Sequence, residues 1–199
     1  MQGDGSNKNA REQYLGSTYY RDSLAPFVRW ILERHHRCGG VTEVRILGGG
    51  HHGVWSGYFD SDHHAGLVKA ILLMGQARSR IPYEDYPRIG EANYYFTLQA
   101  AHHDLLARSA NRIKRADTTT SDTDIVAYCL FAVDIDPVRK AGISATDEEK
   151  RYAWEVAENV IAWFTEYGIG CIVADSGNGY HLLVPTIPYT GERVLEASR

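Results

Sequence analysis

AYCLFAVDID (Ala127–Asp136) decides the fold: an apolar run of strand length that finishes in two acids. It reads as a buried strand. Side chains in a strand alternate faces, so Asp134 and Asp136 point the same way while Ile135 points into the opposite layer. Their α-carbons would lie roughly 6.5–7 Å apart, so both carboxylates could reach one hard cation or a closely spaced pair. Two like charges at the end of an apolar strand repel and are partly desolvated, which a cation would relieve. The pattern therefore suggests a Mg²⁺ or Mn²⁺ site. The same acids also fit a strand end that faces water, with Pro137 starting a turn, and spacing alone supports both.

Downstream, Thr146-Asp147-Glu148-Glu149 has the form of a capping box. It opens a helix to about Tyr167, with Ala153, Ala157, Val160, Ile161 and Phe164 inward. Cys171–Ala174 and Tyr180–Val184 read as short strands. Between them lies Ser176-Gly177-Asn178-Gly179, whose Asn-Gly pair signals a tight hairpin. A turn with two glycines lets backbone N–H groups approach an anion, as such turns do for phosphates, and His181 just beyond it can donate to the same anion. An ordinary hairpin followed by a core histidine fits these residues too.

Upstream, Leu24–Arg37 carries a helical stripe (Phe27, Val28, Ile31, Leu32) that ends at Gly39-Gly40. Val41–Leu47 alternates as a half-buried strand, and Val54–Phe59 is a second strand joined to it as a hairpin. Asp60 or Ser61 can cap a helix to about Gln76, with Leu67, Ala70, Ile71 and Met74 on one face. Arg78–Glu91, with Pro82 and Pro87, reads as a loop, and Asn93–Leu98 as a strand rich in aromatics. A short helix near Asp104–Lys114 and a mobile polar stretch, Asp117–Asp124, complete the order. Helices and mostly antiparallel strands so mixed indicate an α+β or α/β sandwich, strands backed by helices on one face. Residues 1–22 read as a polar lead-in, and residues 23–199 as one domain.

Composition narrows the classes. The 199 residues are 44% hydrophobic with a net charge of −4, which suits a globular protein and argues against one that sheathes nucleic acid over its whole surface. No run of about 18 apolar residues predicts a membrane span, and the N-terminus lacks a secretory pattern. The three cysteines (Cys38, Cys129, Cys171) form no CxxC pair, so thiolate zinc and a disulfide framework are not expected and a cytoplasmic setting is. The doublets His35-His36, His51-His52, His63-His64 and His102-His103 lack the spacing of a helical zinc site and read as solvated surface. Arg108, Arg112, Lys114 and Arg115 form a local basic cluster, which reads as a solvated helix face or a nucleic-acid contact. Tyr94, Tyr95 and Phe96 could stack on bases, but at strand spacing at least one is expected in the core.

VDIDPVRKAGISATDEEK (Val133–Lys150) followed by DSGNGYHLLVP (Asp175–Pro185) resembles the catalytic core of phage and bacterial primase-polymerases of the archaeo-eukaryotic primase superfamily. TEVRILGGGHHGVWSGYFDSD (Thr42–Asp62) and the stretch from Asn93 to Ile125 are similar to that family as well. The resemblance implies an RRM-like, mostly antiparallel sheet backed by helices, and nucleotidyl transfer on a DNA template in replication. It implies that Asp134 and Asp136 hold two divalent ions, Mg²⁺ or Mn²⁺, with His181 as the third catalytic residue. Ser176, Gly177, Asn178, Gly179, His181 and Arg45 would bind the nucleotide, and Arg108, Arg112, Lys114 and Arg115 the nucleic acid. The implied partners are nucleoside triphosphates, a single-stranded DNA template and a replicative helicase. The family has a third motif, an apolar strand with another metal-binding aspartate, downstream of the histidine hairpin. VPTIPYTGERVLEASR (Val184–Arg199) contains no aspartate. The expectation is a core incomplete at its C-terminus, and two other readings share the same residues. One is an inactive module that binds nucleotide or single-stranded nucleic acid; the other is a metal-dependent phosphohydrolase.

Overall fold

Val44 and Ile46, alternating with Glu43 and Arg45, belong to the strand around which the first half of the chain is built. The computed structural model describes residues 17–48, 53–76, 92–140 and 142–190. The chain divides into two compact units, the first ending at Ala127 and the second running from Tyr128 to Thr190. The lead-in up to residue 16, the expected connection at 49–52, the expected loop Arg78–Glu91 and the last nine residues lie outside the described residues.

In the first unit, helix α1 (Ser17–Arg37) is followed by strand β1 (Gly40–Gly48), β2 (Val54–Phe59), α2 (His64–Gln76), β3 (Ala92–Phe96), β4 (Ala100–His102) and β5 (Lys114–Ala116). β1 pairs antiparallel with β2 along one edge, Arg45 opposite Ser56, and with β4 and then β3 along the other. β5 extends the β2 edge, and β4 pairs with the opening residues of β6 (Ile125–Ile135). Helix α1 packs on β1 and α2, turning Val28, Ile31, Leu32 and His35 inward, the i, i+3, i+4, i+7 stripe of a half-buried helix. Val44, Ile46, Phe59 and Leu67 are buried with it, while Val41 and Tyr58 form a separate cluster with Ala101 and Leu105 on the other face of the sheet.

The second unit is smaller. Helix α3 (Asp147–Glu166) lies on a three-stranded antiparallel sheet in the order β6, β8 (Tyr180–Tyr189), β7 (Ile172–Asp175). Ile135, Leu182 and Val184 from the strands meet Ala153, Ala157 and Phe164 from the helix, with Val133, Val160 and Ile161 filling in. The capping box is present: Thr146 Oγ1 accepts from Glu149 N at 3.2 Å, and Glu149 Oε2 accepts from Thr146 N at 2.7 Å. Both units are thus α+β, antiparallel strands backed by helices.

Four expectations are revised. Helix α1 starts at Ser17, not Leu24, and runs through Pro26. The helix expected at Asp104–Lys114 is a single 3₁₀ segment, His103–Ala107. Asn111, at φ 53°, turns the chain there; its amide bonds Asp60 Oδ2 at 2.8 Å while β2 recruits Lys114–Ala116 as a strand. Three-residue strands such as β4 and β5 have no periodicity to show in a sequence. β8 continues past Val184 to Tyr189, although Pro185 and Pro188 read as breakers. Its pairing with β7 ends at Leu183, so among the described residues only one edge of β8 is engaged there, where proline is tolerated. Finally, Asp117–Asp124 is pinned rather than free: Thr120 N donates to Glu43, and Ser121 caps the 3₁₀ turn Asp122–Asp124.

Candidate functional site

Alternation in β6 assigns Val133 and Ile135 to α3, which leaves Asp134 on the other face. The β6–β8 register then sets Asp134 directly opposite His181. His181 Nε2 lies 3.2 Å from Asp134 Oδ1, with the two side chains 45% and 68% exposed. This is a cross-strand pair open to solvent, beside the small Ala174 that faces His181 from β7.

Asp136 stands one residue beyond the strand, half-exposed, its Oδ2 3.6 Å from Arg139 Nη2. The hairpin closes on it. Gly179 is buried, and a Cβ there would overlap the Ile135 carbonyl oxygen and come within 2.6 Å of Asp136 Oδ1. Only glycine lets the β7–β8 turn approach the Asp-x-Asp segment so closely. The turn is a four-residue loop closed by Ser176 N donating to Gly179 O at 3.0 Å, with the positive φ at Gly177 (90°). Gly177 N donates to Asp175 Oδ1 at 2.7 Å and Gly179 N to Ser176 Oγ at 3.0 Å. These two amides, expected to meet an anion, are engaged inside the turn, so the donors the turn can present are the Ser176 hydroxyl, the Asn178 N–H and side-chain amide, and His181. Asn178 Oδ1 accepts from Ala145 N at 3.0 Å and ties the turn to the segment entering α3.

Among the described residues, no three or more His, Cys, Asp or Glu side chains converge in a metal-holding group. Asp134 is joined to His181 and Asp136 to Arg139 instead. Two exposed carboxylates at one strand end suit a hard divalent cation whose coordination is completed by water and substrate oxygens, the habit of Mg²⁺. They do not suit a closed protein cage.

The cations assigned to nucleotide or template belong to the first unit, and two are already committed. Glu43 is fully buried in β1. It accepts from Arg45 Nε at 2.8 Å, Ser56 Oγ at 2.5 Å and Thr120 N at 3.0 Å, and Arg45 Nη2 also donates to Thr120 O at 2.5 Å. Arg108 reaches Tyr58 Oη at 3.4 Å, Thr119 O at 3.3 Å and Asp124 at 3.5 Å. Ser121 N–H, the largest influence, holds the Asp124 carboxyl below its ordinary range, with Arg108 adding to it. Arg45 and Arg108 thus hold the 117–124 segment on the sheet. Arg112, Lys114 and Arg115 are exposed.

Three residues escaped the sequence reading. Glu43 looked like the polar side of a half-buried strand, but the 117–124 segment covers that side. Arg139 lay inside the quoted Val133–Lys150 segment without a reading of its own. His35, read as surface, is buried: Nδ1 lies 2.7 Å from Thr42 Oγ1 and Nε2 3.1 Å from Leu98 O. The carbonyl can only accept, so Nε2 carries the proton, and burial pushes the imidazole pKa down to about 4. Its place on the Val28–Ile31–Leu32 stripe was the available signal. Of the other doublet residues, His36, His63, His102 and His103 are exposed, as expected, His64 is partly buried with Nδ1 3.2 Å from the Ser61 carbonyl oxygen, and His51-His52 lie outside the described residues. So is Tyr95, whereas Phe96 is partly buried and edges onto Phe27 at 5.3 Å. The three cysteines are free. Among the described residues no helix is long and apolar enough to cross a membrane.

No protein-family model matches the chain, and no curated protein or solved structure matches it either.

Proposed function

We propose that the chain is a metal-dependent nucleotidyltransferase of the primase-polymerase type, with Asp134, Asp136 and His181 at its centre and an RRM-like core. The observation that carries this reading is the register that sets Asp134 opposite His181 on neighbouring antiparallel strands, with the glycine turn seated on Asp136. The acids lie some forty residues from the turn and its histidine in sequence, yet they meet at one strand end.

In this reading Asp134 and Asp136 hold Mg²⁺ or Mn²⁺, which supplies charge neutralisation at a triphosphate and lowers the pKa of an attacking hydroxyl. His181 and the Ser176 hydroxyl donate to phosphate oxygens. Gly179 keeps the turn against the acids, so phosphate and metal positions are set by one rigid junction. Arg112, Lys114 and Arg115 are the exposed cations for single-stranded DNA, acting on its phosphates. Arg45 and Arg108 act by shaping the first unit. The proposed partners are nucleoside triphosphates, a DNA template and a replicative helicase, in the cytoplasm.

Primer extension on a single-stranded template with Mn²⁺ tests this reading. The wild-type chain should incorporate nucleotide, and Asp134→Asn should not; equal activity in both would refute it. A second reading, a nucleotide-binding module without turnover, is favoured by the ion pairs that already engage each carboxylate. It is distinguished by binding without incorporation.

A further inference from the structure

The Arg139 guanidinium is poised for an anion it does not have. Its side chain is 21% exposed, so most of it is out of water. Of its five N–H donors, Nη1 bonds Ile143 O at 2.7 Å. Nη2 stands 3.6 Å from Asp136 Oδ2, beyond hydrogen-bond length, and the buried Nε has no partner. The neighbouring Glu149, whose carboxyl is held low first by Thr146 N–H and then by the Thr146 hydroxyl, is bound in the capping box at 2.7 and 2.9 Å. Both bonds fall on Oε2, and Glu149 meets Arg139 through charge rather than a hydrogen bond. A partly buried cation with an unpartnered Nε, Asp136 beyond hydrogen-bond length and Glu149 acting on it only through charge is under-satisfied, and a charged acceptor would satisfy it.

We infer that Arg139 is a polyphosphate-binding residue held in reserve by Asp136: when a divalent cation takes the Asp136 carboxylate, the guanidinium turns its free donors to the anionic oxygens that arrive with that cation. This rests on the metal-dependent reading above and adds to it a coupling. Metal on Asp136 removes the competitor for Arg139, so metal and polyphosphate strengthen each other's binding.

The test is calorimetric titration of inorganic tripolyphosphate into the full chain, with Mn²⁺ and with EDTA, together with Mn²⁺ alone. Arg139→Gln should weaken Mn²⁺-dependent tripolyphosphate binding at least about tenfold, while binding of Mn²⁺ alone stays the same or tightens. Asp136→Asn, a substitution at a half-exposed position, should bind tripolyphosphate severalfold tighter than wild type in EDTA, because Arg139 has been released. Unchanged tripolyphosphate affinity in Arg139→Gln, or no gain in metal-free Asp136→Asn, overturns the inference. A wild-type chain with no Mn²⁺-dependent binding overturns the nucleotidyl-transfer reading instead. The metal-free comparison of Asp136→Asn with wild type still decides the role of Arg139 in that case, and it also decides if Arg139→Gln fails to fold.

Discussion

The two units each place acid and arginine together, and they treat them in opposite ways. In the first unit, Glu43 is sealed beneath the 117–124 segment and accepts from Arg45, Ser56 and Thr120. In the second, Asp134 and Asp136 stand open, each with one side-chain partner, His181 at 3.2 Å and Arg139 at 3.6 Å. A buried charge needs its full set of partners or it destabilises the fold. An exposed one gains little from its ion pair and remains available. The sealed network is architecture and the open one is the candidate site, although a sequence shows both simply as charged residues at strand positions.

That contrast can be broken by substitution, with hydrogen exchange resolved by peptide to show which unit responds. Glu43→Ala should have the largest effect. It strands a partly buried Arg45 together with the Ser56 hydroxyl and the Thr120 amide, and should cost about 3–5 kcal/mol. Loss of protection should appear first in β1, β2 and residues 117–124; a loss under about 1 kcal/mol would place Glu43 with the open acids.

Acid comes next. The buried His35 has a pKa of about 4 against an ordinary 6.5. Above pH 6.5 both folded and unfolded chains carry it neutral and its stabilising effect is complete. As pH falls from 6.5 toward 4, the unfolded chain binds the proton and the folded one does not. Stability of the first unit should therefore drop by about 3 kcal/mol at most across that window and then level off. Urea unfolding at pH 7, 5.5 and 4 measures this, and in His35→Gln the window should flatten. An unchanged slope would mean that His35 protonates in the folded state.

Gly179→Ala sharpens the second half of the comparison. Its Cβ would overlap the Ile135 carbonyl, so the turn must lift from Asp136, at about 1–3 kcal/mol. Gly177→Ala meets open space and strains only the backbone at φ 90°, by roughly 1 kcal/mol. Thermal melts of both variants test whether close approach outweighs backbone strain. The smallest effect on stability is expected from Asp134→Asn, within about 0.5 kcal/mol, since that side chain is 68% exposed. A clear loss in metal-free buffer would make Asp134 structural.

These expectations trace what the sequence could and could not show. Strong periodicity or cap chemistry made β2, β6 and α3 legible, with the Thr146–Glu149 box among them. Short strands β4 and β5 recruit their pairing from distant residues, and no local pattern announces them. The Asp134–His181 encounter was readable because an apolar strand ending in acids and a glycine hairpin are both local signals, brought together by one register. Arg139 and Glu43 were not readable, since what matters in each is what lies across from it. Arg45 and Arg108 were assigned through the family resemblance, and the carboxylates and carbonyls that engage them come from residues up to some seventy-five positions away.

The central claim is that the open acids of the second unit hold metal and nucleotide together, and one titration tests it most directly. A nucleoside triphosphate is titrated into the full chain with Mn²⁺ and again with EDTA, in wild type and in Asp134→Asn. The expected result is binding that needs Mn²⁺ and disappears in Asp134→Asn while the melt is unchanged. Binding that survives EDTA, or equal binding in wild type and Asp134→Asn, would contradict it.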